Sequence, residues 1–270
     1  MQPFELLKRT PKSNCGQCGY PTCLAFAAAV SKGGAAPGKC PFLDWRGLEL
    51  PQIQEAALDE LPRQRELELV EHLKGKIAHL ALAELAVPLG GQLTRDQDGE
   101  TLTFLYLGQE ARLNRDTILL DGESPADHRD QILIYNYIHG RGGSGPAGEW
   151  VGLESLPNTI SKVKTLATYC EQPLAALFNA HPASAVLAAG TRLGGKAAAD
   201  AADLGMIVPV LPRLEIYLLF WAAAPEEGFA AQSKALFDRR VLEVLDVESL
   251  VFAAERLAER LALLLNTGAA

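Results

Sequence analysis

The sequence lacks three features that would place the protein in a membrane, on nucleic acid or outside the cell. No apolar run approaches the ~20 residues that a membrane-spanning helix needs. Residues 1–9 contain no apolar stretch of the kind found in a secretory signal. Lys and Arg number 25 against 33 Asp and Glu, so the basic excess of a non-specific nucleic-acid binder is absent. We therefore expect a soluble, cytoplasmic protein with no membrane span and no nucleic-acid partner.

The chain also lacks the usual motifs of hydrolases and nucleotide-binding proteins. No Ser-His-Asp order, metalloprotease helix or paired-carboxylate motif stands out. Residues 190–197 fit the pattern G-x₄-G-K, but Ala197 stands where a phosphate-binding loop needs a hydroxyl for Mg²⁺. We interpret this stretch as the end of one helix followed by the start of another.

What the sequence does contain is enough apolar residues for a core, and two regions of opposite charge. Hydrophobic residues make up 48% of the 270, so the composition is not that of a disordered chain. Residues 1–46 carry six bases and two acids, a net charge of +4, together with four of the five cysteines. The other residues carry 19 bases and 31 acids, a net charge of −12. We predict a cysteine-bearing domain at 1–46, a connector at 47–64 and a second domain at 65–270.

The basic region holds its cysteines in a three-plus-one arrangement: Cys15, Cys18, Cys23 and Cys40. The first three lie in a short stretch with glycine and proline, which can turn tightly enough to point three thiolates at one centre. Gly16 and Gly19 can take positive φ and expose backbone N–H groups to the sulfurs. Residues 24–30 predict a short helix that starts at Cys23, whose N-terminus favours an anionic group beside it.

Three kinds of site could use four such cysteines. A disulfide pair is disfavoured in a cytosolic chain, where thiols are kept reduced. A structural zinc site usually takes two C-x₂-C pairs, and only one is present. A cubane iron–sulfur cluster suits the three-plus-one layout better, although the spacings differ from the bacterial ferredoxin pattern. The iron–sulfur interpretation is favoured, and zinc stays open.

The cysteine segment resembles a known iron–sulfur domain. The string Cys-Gly-x-Cys-Gly-x-Pro-x-Cys-x-x-Phe-Ala, followed by Cys-Pro, is similar to the small cluster domain of the corrinoid/iron–sulfur protein large subunit and of the B subunit of the Rnf electron-transport complex. The likeness covers about residues 5–43. It implies a four-iron, four-sulfur ([4Fe-4S]) cluster whose ligands are Cys15, Cys18, Cys23 and Cys40. In those relatives the cluster passes single electrons, in the first case to a cobalamin cofactor.

Positive residues surround these cysteines, and they bear on the chemistry of a cluster. Such a cluster with four thiolates is anionic and becomes more so on reduction, so nearby bases raise its potential. We expect the surroundings of the cluster to include Gly16, Gly19, Lys12 and Lys39, with Lys8, Arg9 and Lys32 also near. Four cysteine ligands leave no iron open to substrate, which argues for electron transfer, redox sensing or structure rather than catalysis at iron.

The pattern of the remaining chain predicts an α+β fold, that is, a small α-rich iron–sulfur domain followed by a mixed or antiparallel sheet domain with packed helices. Predicted helices cover residues 63–87, 127–139, 161–180, 183–189, 196–204 and 248–266. Predicted strands cover residues 101–107, 109–113, 117–120, 149–152, 207–211 and 214–223, of which the first three form an antiparallel meander. Residues 140–148 form a glycine-rich loop, either a mobile connection or a lid over a ligand.

This second region resembles a family catalogued only as a domain of unknown function, found in anaerobic bacteria and archaea. The likeness covers about residues 65–267 and rests on Asp-Gln-Ile-Leu-Ile-Tyr-Asn-Tyr at 130–137, Gly-Glu-Trp-Val at 148–151, Leu-Pro at 156–157, Leu-Pro-Arg at 211–213, Leu-Phe-Trp at 219–221, Leu-Phe-Asp at 236–238 and Leu-Asp-Val-Glu-Ser-Leu at 245–250. It implies an anaerobic setting and brings no activity.

If this domain holds a ligand pocket, we expect it near His139, Arg141, Trp150 and Trp221. His72 and His79 nearly share a helix face, but two histidines without a third ligand are a weak metal site. Cys170 is predicted to be a buried packing residue.

We therefore predict an iron–sulfur protein that transfers single electrons to or from a redox partner, with a corrinoid-dependent enzyme as one candidate. One alternative is a redox or oxygen sensor whose second domain binds a partner or ligand. A further alternative is an enzyme with its active site in the second domain. An electron-transfer or binding protein is favoured over a self-contained enzyme.

Overall fold

The computed structural model describes residues 3–31, 35–43, 55–97, 99–115, 117–198 and 202–267. It divides into two compact units, Met1–Glu68 and Leu69–Ala270. Part of the predicted connector, and the bases Lys32 and Arg46, lie outside the described residues. In the described ranges, no helix has both the length and the apolar character needed to cross a membrane.

The first unit contains two short helices with a small core between them. Helix α1 spans Pro3–Lys8 and α2 spans Cys23–Ser31, and the two are in contact. Thr22 starts α2, because its Oγ1 accepts a hydrogen bond from the Ala25 N–H at 3.0 Å. A 3₁₀ turn follows at Pro37–Lys39. The core consists of Leu6, Phe26, Ala27, Val30, Ala35, Cys40 and Leu43. The helix predicted from Cys23 is therefore confirmed.

The predicted helix at 63–87 is wrong in its bounds. Helix α3 spans Glu55–Ile77, and a separate one-turn helix, α4, spans Leu82–Leu85. Buried positions on α3 follow helical spacing from Val70 through Leu73 to Ile77, but the next buried residue is Leu82. A five-residue step turns the chain well away from the first apolar face, so a straight helix cannot bury both stretches. The chain therefore breaks after Ile77.

The first sheet of the second unit is the predicted antiparallel meander, with one strand more. Its order is β1-β2-β3-β4, made of Gln92–Asp96, Gly99–Tyr106, Gln109–Leu113 and Ile118–Leu120. Strand β2 buries alternate residues, namely Leu102, Phe104 and Tyr106. Leu107 and Gly108 join β2 to β3 with φ of 47° and 76°, as a two-residue hairpin turn requires. Strand β1 has no buried residue, which explains why the apolar pattern did not predict it.

The second sheet is also antiparallel, with the order β5-β9-β8-β7-β6. Its strands are β5 (Trp150–Gly152), β6 (Lys196–Ala197), β7 (Leu204–Leu211), β8 (Leu214–Trp221) and β9 (Gln232–Asp238). The helix predicted at 196–204 is wrong, although residues 199–201 of it lie outside the described residues. Lys196 pairs with Ile207, and the Ala198 N–H donates to the Gly205 carbonyl at 2.9 Å. Pairing with a central strand thus outweighs the helix propensity of alanine.

The other predicted helices are confirmed, and they cover the sheets. They are α5 (His128–Gly140), α6 (Ile160–Leu166), α7 (Gln172–Ala180), α8 (Ala183–Arg192) and α9 (Val247–Asn266), with a π-helical turn at Ala167–Glu171 between α6 and α7. Side chains of Asp127 and Asp246 cap α5 and α9. Helix α9 contacts α5, α6, α7 and α8 and buries an apolar face against them. The predicted α+β class is confirmed.

The glycine-rich loop after α5 is packed against its neighbours. Gly142 has a φ of +79°, and a Cβ at that position would lie 2.3 Å from the Pro88 carbonyl oxygen. Ser144 donates hydrogen bonds to the Glu243 carboxylate, and the Ala147 and Gly148 N–H groups donate to the Asp238 carboxylate. These contacts fix the loop against its neighbours, unlike a free connection, and the lid interpretation stays a prediction.

We expect Gly142→Ala to lower the free energy of unfolding by at least about 2 kcal/mol, because it adds a steric clash to the cost of a positive φ. Gly145→Ala is the matched control. Gly145 has a φ of +88° but nothing within 4 Å of its would-be Cβ. The control therefore carries only the backbone cost, about 1 kcal/mol. Urea unfolding of the two variants, followed by circular dichroism, measures the difference. Equal losses would contradict the packing argument.

Candidate metal centre

Three of the four cysteines lie in one folded loop between α1 and α2. The Asn14 side-chain oxygen accepts a hydrogen bond from the Cys23 N–H at 2.8 Å, which brings the start of the loop back to its end. Within the loop, the Gly19 N–H donates to the Gly16 carbonyl at 2.9 Å. Gly16 and Gly19 have φ of +73° and +82°, as predicted. The loop thus holds Cys15, Cys18 and Cys23 within a short, turned segment.

The fourth cysteine comes from the far side of the small core. Cys40 follows the 3₁₀ turn, where its N–H donates to the Pro37 carbonyl. It belongs to the core that includes Phe26 and Val30, and Cys18 packs against that same core. The core therefore joins the three-cysteine loop to the segment that carries Cys40.

The cysteines differ in exposure, and none of the five forms a disulfide. Cys15 is exposed and Cys18 half-buried, whereas Cys23 and Cys40 are each 7% exposed. All five cysteines, which lie in the described ranges, are free thiols. Among the described residues, no three His, Cys, Asp or Glu side chains stand close enough together to hold a metal ion. The structure thus brings the four thiols to one small unit without closing them on a common centre.

The electrostatics of Cys15 favour metal binding. Its pKa is lowered first by the Gln17 N–H, which donates to the sulfur, and then by the Ser13 hydroxyl. Both donors stabilise the thiolate, the form of cysteine that binds metals. Lys8, Lys12 and Lys39 are exposed on the same unit. In donor type and number, three thiols on a glycine-turned loop and a fourth at Cys40, on a unit with exposed bases, fit an anionic iron–sulfur cluster.

Two family models match the chain. The model described as "Putative Fe-S cluster" matches residues 11–42, a range that includes all four cysteines. The model described as "Domain of unknown function (DUF3786)" matches residues 81–260, well over half of the chain. The chain belongs to the DUF3786 family. Both resemblances stated from the sequence are thereby confirmed, and no solved structure matches the chain.

Curated relatives of this DUF3786 protein match it around the cysteine segment. It is 51% identical over 40 residues to the corrinoid/iron-sulfur protein large subunit of Moorella thermoacetica, which is 15% of this chain and 9% of that protein. It is 30% identical over 92 residues to the acetyl-CoA decarbonylase/synthase complex subunit gamma of Archaeoglobus fulgidus, which is 33% of this chain and 18% of that protein. The corresponding subunit of Methanopyrus kandleri is 38% identical over 70 residues, 24% of this chain and 14% of that subunit. The chain therefore spans less than a fifth of each of these relatives.

In the DUF3786 domain, the four residues predicted near a pocket do not come together. Trp150 pairs with Asp238 at one end of β9, and Trp221 pairs with Gln232 at the other end. Six residues of strand separate these positions by about 20 Å. The Trp150 ring packs against Tyr217 with ring centroids 5.5 Å apart, whereas Trp221 is 37% exposed. Arg141 is exposed and ends α5 with a left-handed backbone conformation.

His139 instead lies with His72 of α3 and with His79, which follows the end of that helix. His72, His79 and His139 line one shallow groove with Glu71 and Lys76. The two histidines thus meet at one groove, but the predicted shared helix face is wrong, because α3 ends at Ile77. In the part of the chain that the structure describes, this groove is not a metal-binding group. Cys170 is fully buried, and burial raises the pKa of its thiol, as expected for a packing residue.

A buried charge network in the DUF3786 domain was not predicted from the sequence. The Tyr106 hydroxyl donates to Asp130 Oδ1 at 2.6 Å, and Arg256 donates to both oxygens of Asp130 at 2.7 and 2.8 Å. Burial, and then the charge of Asp130, raise the pKa of Tyr106 well above its ordinary value. Arg256 and Arg129 also pair with Asp127 and Glu259. The three central residues stand far apart in sequence, so no local motif indicates them.

Asp238 gives the DUF3786 domain a pH-dependent contribution to stability. Burial alone would raise the pKa of this carboxyl, but the N–H groups of Ala147, Arg240 and Gly148 donate to it and bring the pKa below its ordinary value. A lowered pKa in the folded state means that the unfolded state binds more protons in the acid range. The contribution is therefore fully present above about pH 4–5 and is lost as the pH falls through the folded pKa.

We expect Asp238→Asn to lower the free energy of unfolding by about 1–3 kcal/mol at pH 7. The difference from the unsubstituted protein is expected to shrink as the pH is lowered toward 3, because the native carboxyl is then protonated as well. Urea unfolding across this pH range measures the difference. Glu226→Gln, at an exposed 3₁₀ turn, is the control and is expected to change stability by less than about 0.5 kcal/mol. A difference that does not vary with pH would show that Asp238 acts through its shape alone.

Proposed function

We propose that this chain binds one [4Fe-4S] cluster through Cys15, Cys18, Cys23 and Cys40 and passes single electrons to or from a partner protein. The observation that carries the proposal is that the cluster family model covers all four cysteines, on a unit where they are free thiols. The predicted boundaries, 1–46 for the cluster domain, 47–64 for the connector and 65–270 for the second domain, form part of this proposal.

The cluster would supply a one-electron redox couple, and the residues of the chain set its surroundings. Four thiolates, one for each iron, hold the cofactor and leave no coordination position for substrate. Lys12 and Lys39, together with the backbone N–H of Gly16, would offset its negative charge and favour the reduced state, whereas the Gly19 N–H is taken by the Gly16 carbonyl. Because metal binding and local folding are coupled, we expect the loop to close around the cluster as it binds.

Exposure of the cysteine loop supports electron transfer over a purely structural role. Cys15 is exposed at the surface, and so are its neighbours Gly16 and Gln17. A cluster held there would lie near the protein surface, within reach of a docked partner. The names of the relatives, which are corrinoid/iron-sulfur and acetyl-CoA decarbonylase/synthase subunits, support a corrinoid-dependent partner. A setting in the cytoplasm of an anaerobe is part of the same proposal.

The test is anaerobic reconstitution with iron and sulfide, followed by a redox titration monitored by electron paramagnetic resonance. We expect about four irons per chain and a reversible one-electron signal from the reduced cluster. Zinc alone, or iron with no redox response, would contradict the proposal.

The same exposure of Cys15 favours the sensor alternative. If brief oxidation changes what the second domain binds and electron exchange with a partner is slow, the sensor is the better assignment.

The exposed bases of the first unit predict an acidic docking partner. Lys8, Lys12 and Lys39 are exposed beside the exposed apolar residues Phe4 and Phe42. Opposite charges on two surfaces raise the association rate, more strongly at low salt. We expect the double substitution Lys12→Glu and Lys39→Glu to slow electron exchange with an acidic ferredoxin about tenfold at low salt and much less at high salt. Lys164→Glu, exposed on the second unit, is the control, and an equal effect there would contradict docking at the cluster.

A further inference from the structure

Strand β9 of the second unit is covered along only part of its outer edge. Its inner edge pairs with β8 without interruption from Gln232 to Phe237. On the outer edge, β5 pairs only with residues 236–238. The chain then leaves β9 after Gly152 and forms a 3₁₀ turn. Among the described residues, no strand therefore lies beside residues 232–235 on the outer side.

Two hydrogen bonds show which backbone groups of β9 face this open edge. The Arg239 N–H donates to the Glu149 carbonyl beside β5 at 2.9 Å, and the Ala235 N–H donates to Glu171 Oε1 at 3.2 Å. Backbone groups of a paired strand alternate between its two edges, so Ser233 faces the same way as Ala235 and Arg239. Its N–H and C=O point outward, and no hydrogen bond from another described residue reaches them there. Such an edge is a template for an added strand.

A groove of about 400 Å³ lies between this edge and helix α7, and we call it the β9 groove. Ser233 and Phe220 are register partners, and Phe220 packs on Phe178 of α7. Since directly opposite residues share a face of the sheet, the Ser233 side chain lies on the face that α7 covers. The wall opposite β9 is made largely of small side chains of α7, which leave space for the side chains of an added strand. The groove is lined by residues that include Ala175, Ala176, Asn179, Gln232 and Ser233.

Carboxylates surround the β9 groove. Glu171 lines it, and Lys234 lies 3.2 Å from Glu154 and 3.4 Å from Glu171. The loop that leads into β9 carries Glu226 and Glu227, both exposed. Lys234 is the single base of this group and is shared by two carboxylates. The surroundings are therefore net negative, which favours a positively charged partner.

We propose that the β9 groove binds an extended, positively charged peptide segment of a partner protein, which adds to the sheet as a strand antiparallel to β9. The segment continues the line of β5, and its residue opposite Ser233 exchanges both backbone hydrogen bonds with Ser233. The side chain of that residue faces α7, where small apolar side chains fit beside Ala175 and Ala176. Flanking lysines or arginines face the surrounding carboxylates. A second copy of this chain is a poor occupant, because its own β9 edge is recessed beside its own α7.

The test uses the full chain with its cluster and measures the fluorescence anisotropy of labelled peptides. The probes are four peptides of the form Lys-Xaa-Thr-Xaa-Lys with blocked ends, in which Xaa is glycine, alanine, valine or leucine. We expect at least one of them to bind at low salt with a Kd below about 1 mM. The matching Glu-Xaa-Thr-Xaa-Glu peptide is expected to bind at least tenfold more weakly. Failure of all four lysine peptides, or equal binding of the glutamate peptide, would overturn the proposal.

Methylation of the two Xaa backbone nitrogens separates strand addition from attraction by charge alone. The methylated peptide keeps its charge and its side chains but loses the two N–H donors that face β9. We expect it to bind at least tenfold more weakly than the unmethylated peptide. Equal binding of the two would show that charge alone attracts the peptide, and strand addition would be wrong.

Substitutions in the second unit locate the peptide. Ala176 is exposed on α7, so Ala176→Trp fills the β9 groove and is expected to weaken the best peptide at least tenfold. Ala188→Trp, exposed on α8 and outside the groove, is the matched control and is expected to leave binding unchanged. Ser233→Pro removes the outward N–H, a change that an edge strand tolerates, and is expected to weaken binding similarly. Thermal unfolding checks that each variant is folded. Unchanged binding in a folded Ala176→Trp or Ser233→Pro, or an equal loss in Ala188→Trp, would overturn the assignment, whatever the outcome for the cluster.

Discussion

Substitution of Cys23 or Cys40 by alanine is expected to abolish stable cluster binding. Each iron of a cubane takes one terminal ligand, so three cysteines leave one iron open to solvent and thiols and the cluster prone to loss. Cys23 and Cys40 are the two buried cysteines of the set, one at the first residue of α2 and one in the small core. Loss of either removes a ligand that the fold itself positions. Iron and sulfide analysis after anaerobic reconstitution is expected to fall from about four of each per chain to near background.

Cys170→Ala provides the matched control for these substitutions. Cys170 is the fifth cysteine, fully buried at the π-helical turn of the second unit. The control removes a thiol and a little core volume but no proposed ligand, so it is expected to keep the full iron content. Full iron content in Cys40→Ala, with an unchanged resonance signal, would show that Cys40 is not a ligand. Retention of zinc alone in the unsubstituted protein would favour the zinc interpretation instead.

Local patterns in the sequence predicted the elements whose burial follows a simple period. Strand β2 alternates, α9 keeps one apolar face, and β8 is nearly continuous in apolar residues. The misses are the strands β1, β6 and β9, which are formed by tertiary pairing. Strand β6 is two residues at the sheet edge, and β1 is polar throughout except for Leu93. In these the neighbouring strand, not the local sequence, decides the conformation.

The candidate metal centre was predictable because its signal is local. Three cysteines and two glycines within a few residues indicate a ligand loop before any fold is known. The residues of a pocket carry no such signal, because strand register decides which of them meet. Trp150 and Trp221 pair with opposite ends of β9 and so lie apart, whereas Arg256 binds Asp130 across 126 residues of sequence. Only the assembled sheets and helices bring Arg256 to Asp130.

Asp130→Ala is expected to lower the free energy of unfolding of the second unit by about 3–5 kcal/mol. The change removes the acceptor for the Tyr106 hydroxyl and the two buried acceptors for the Arg256 guanidinium, which keeps only its more exposed partners Asp127 and Glu259. Tyr106 is 1% exposed, so water cannot replace the lost partner at its hydroxyl. Tyr106→Phe removes a single hydrogen bond from the same network and is expected to cost about 1–2 kcal/mol.

The exposed end of the same network supplies the control. Glu259 pairs with Arg129 and Arg256, but its side chain is 46% exposed, so Glu259→Ala is expected to cost less than about 1 kcal/mol. In the double variant Asp130→Ala with Arg256→Ala, the loss is expected to be smaller than the sum of the single losses, because the cation and its most buried partner are removed together. Urea unfolding of the full chain measures these four variants and the single variant Arg256→Ala, which the sum requires. An additive double variant, or a loss below about 1 kcal/mol in Asp130→Ala, would mean that the network is solvated and contributes little to stability.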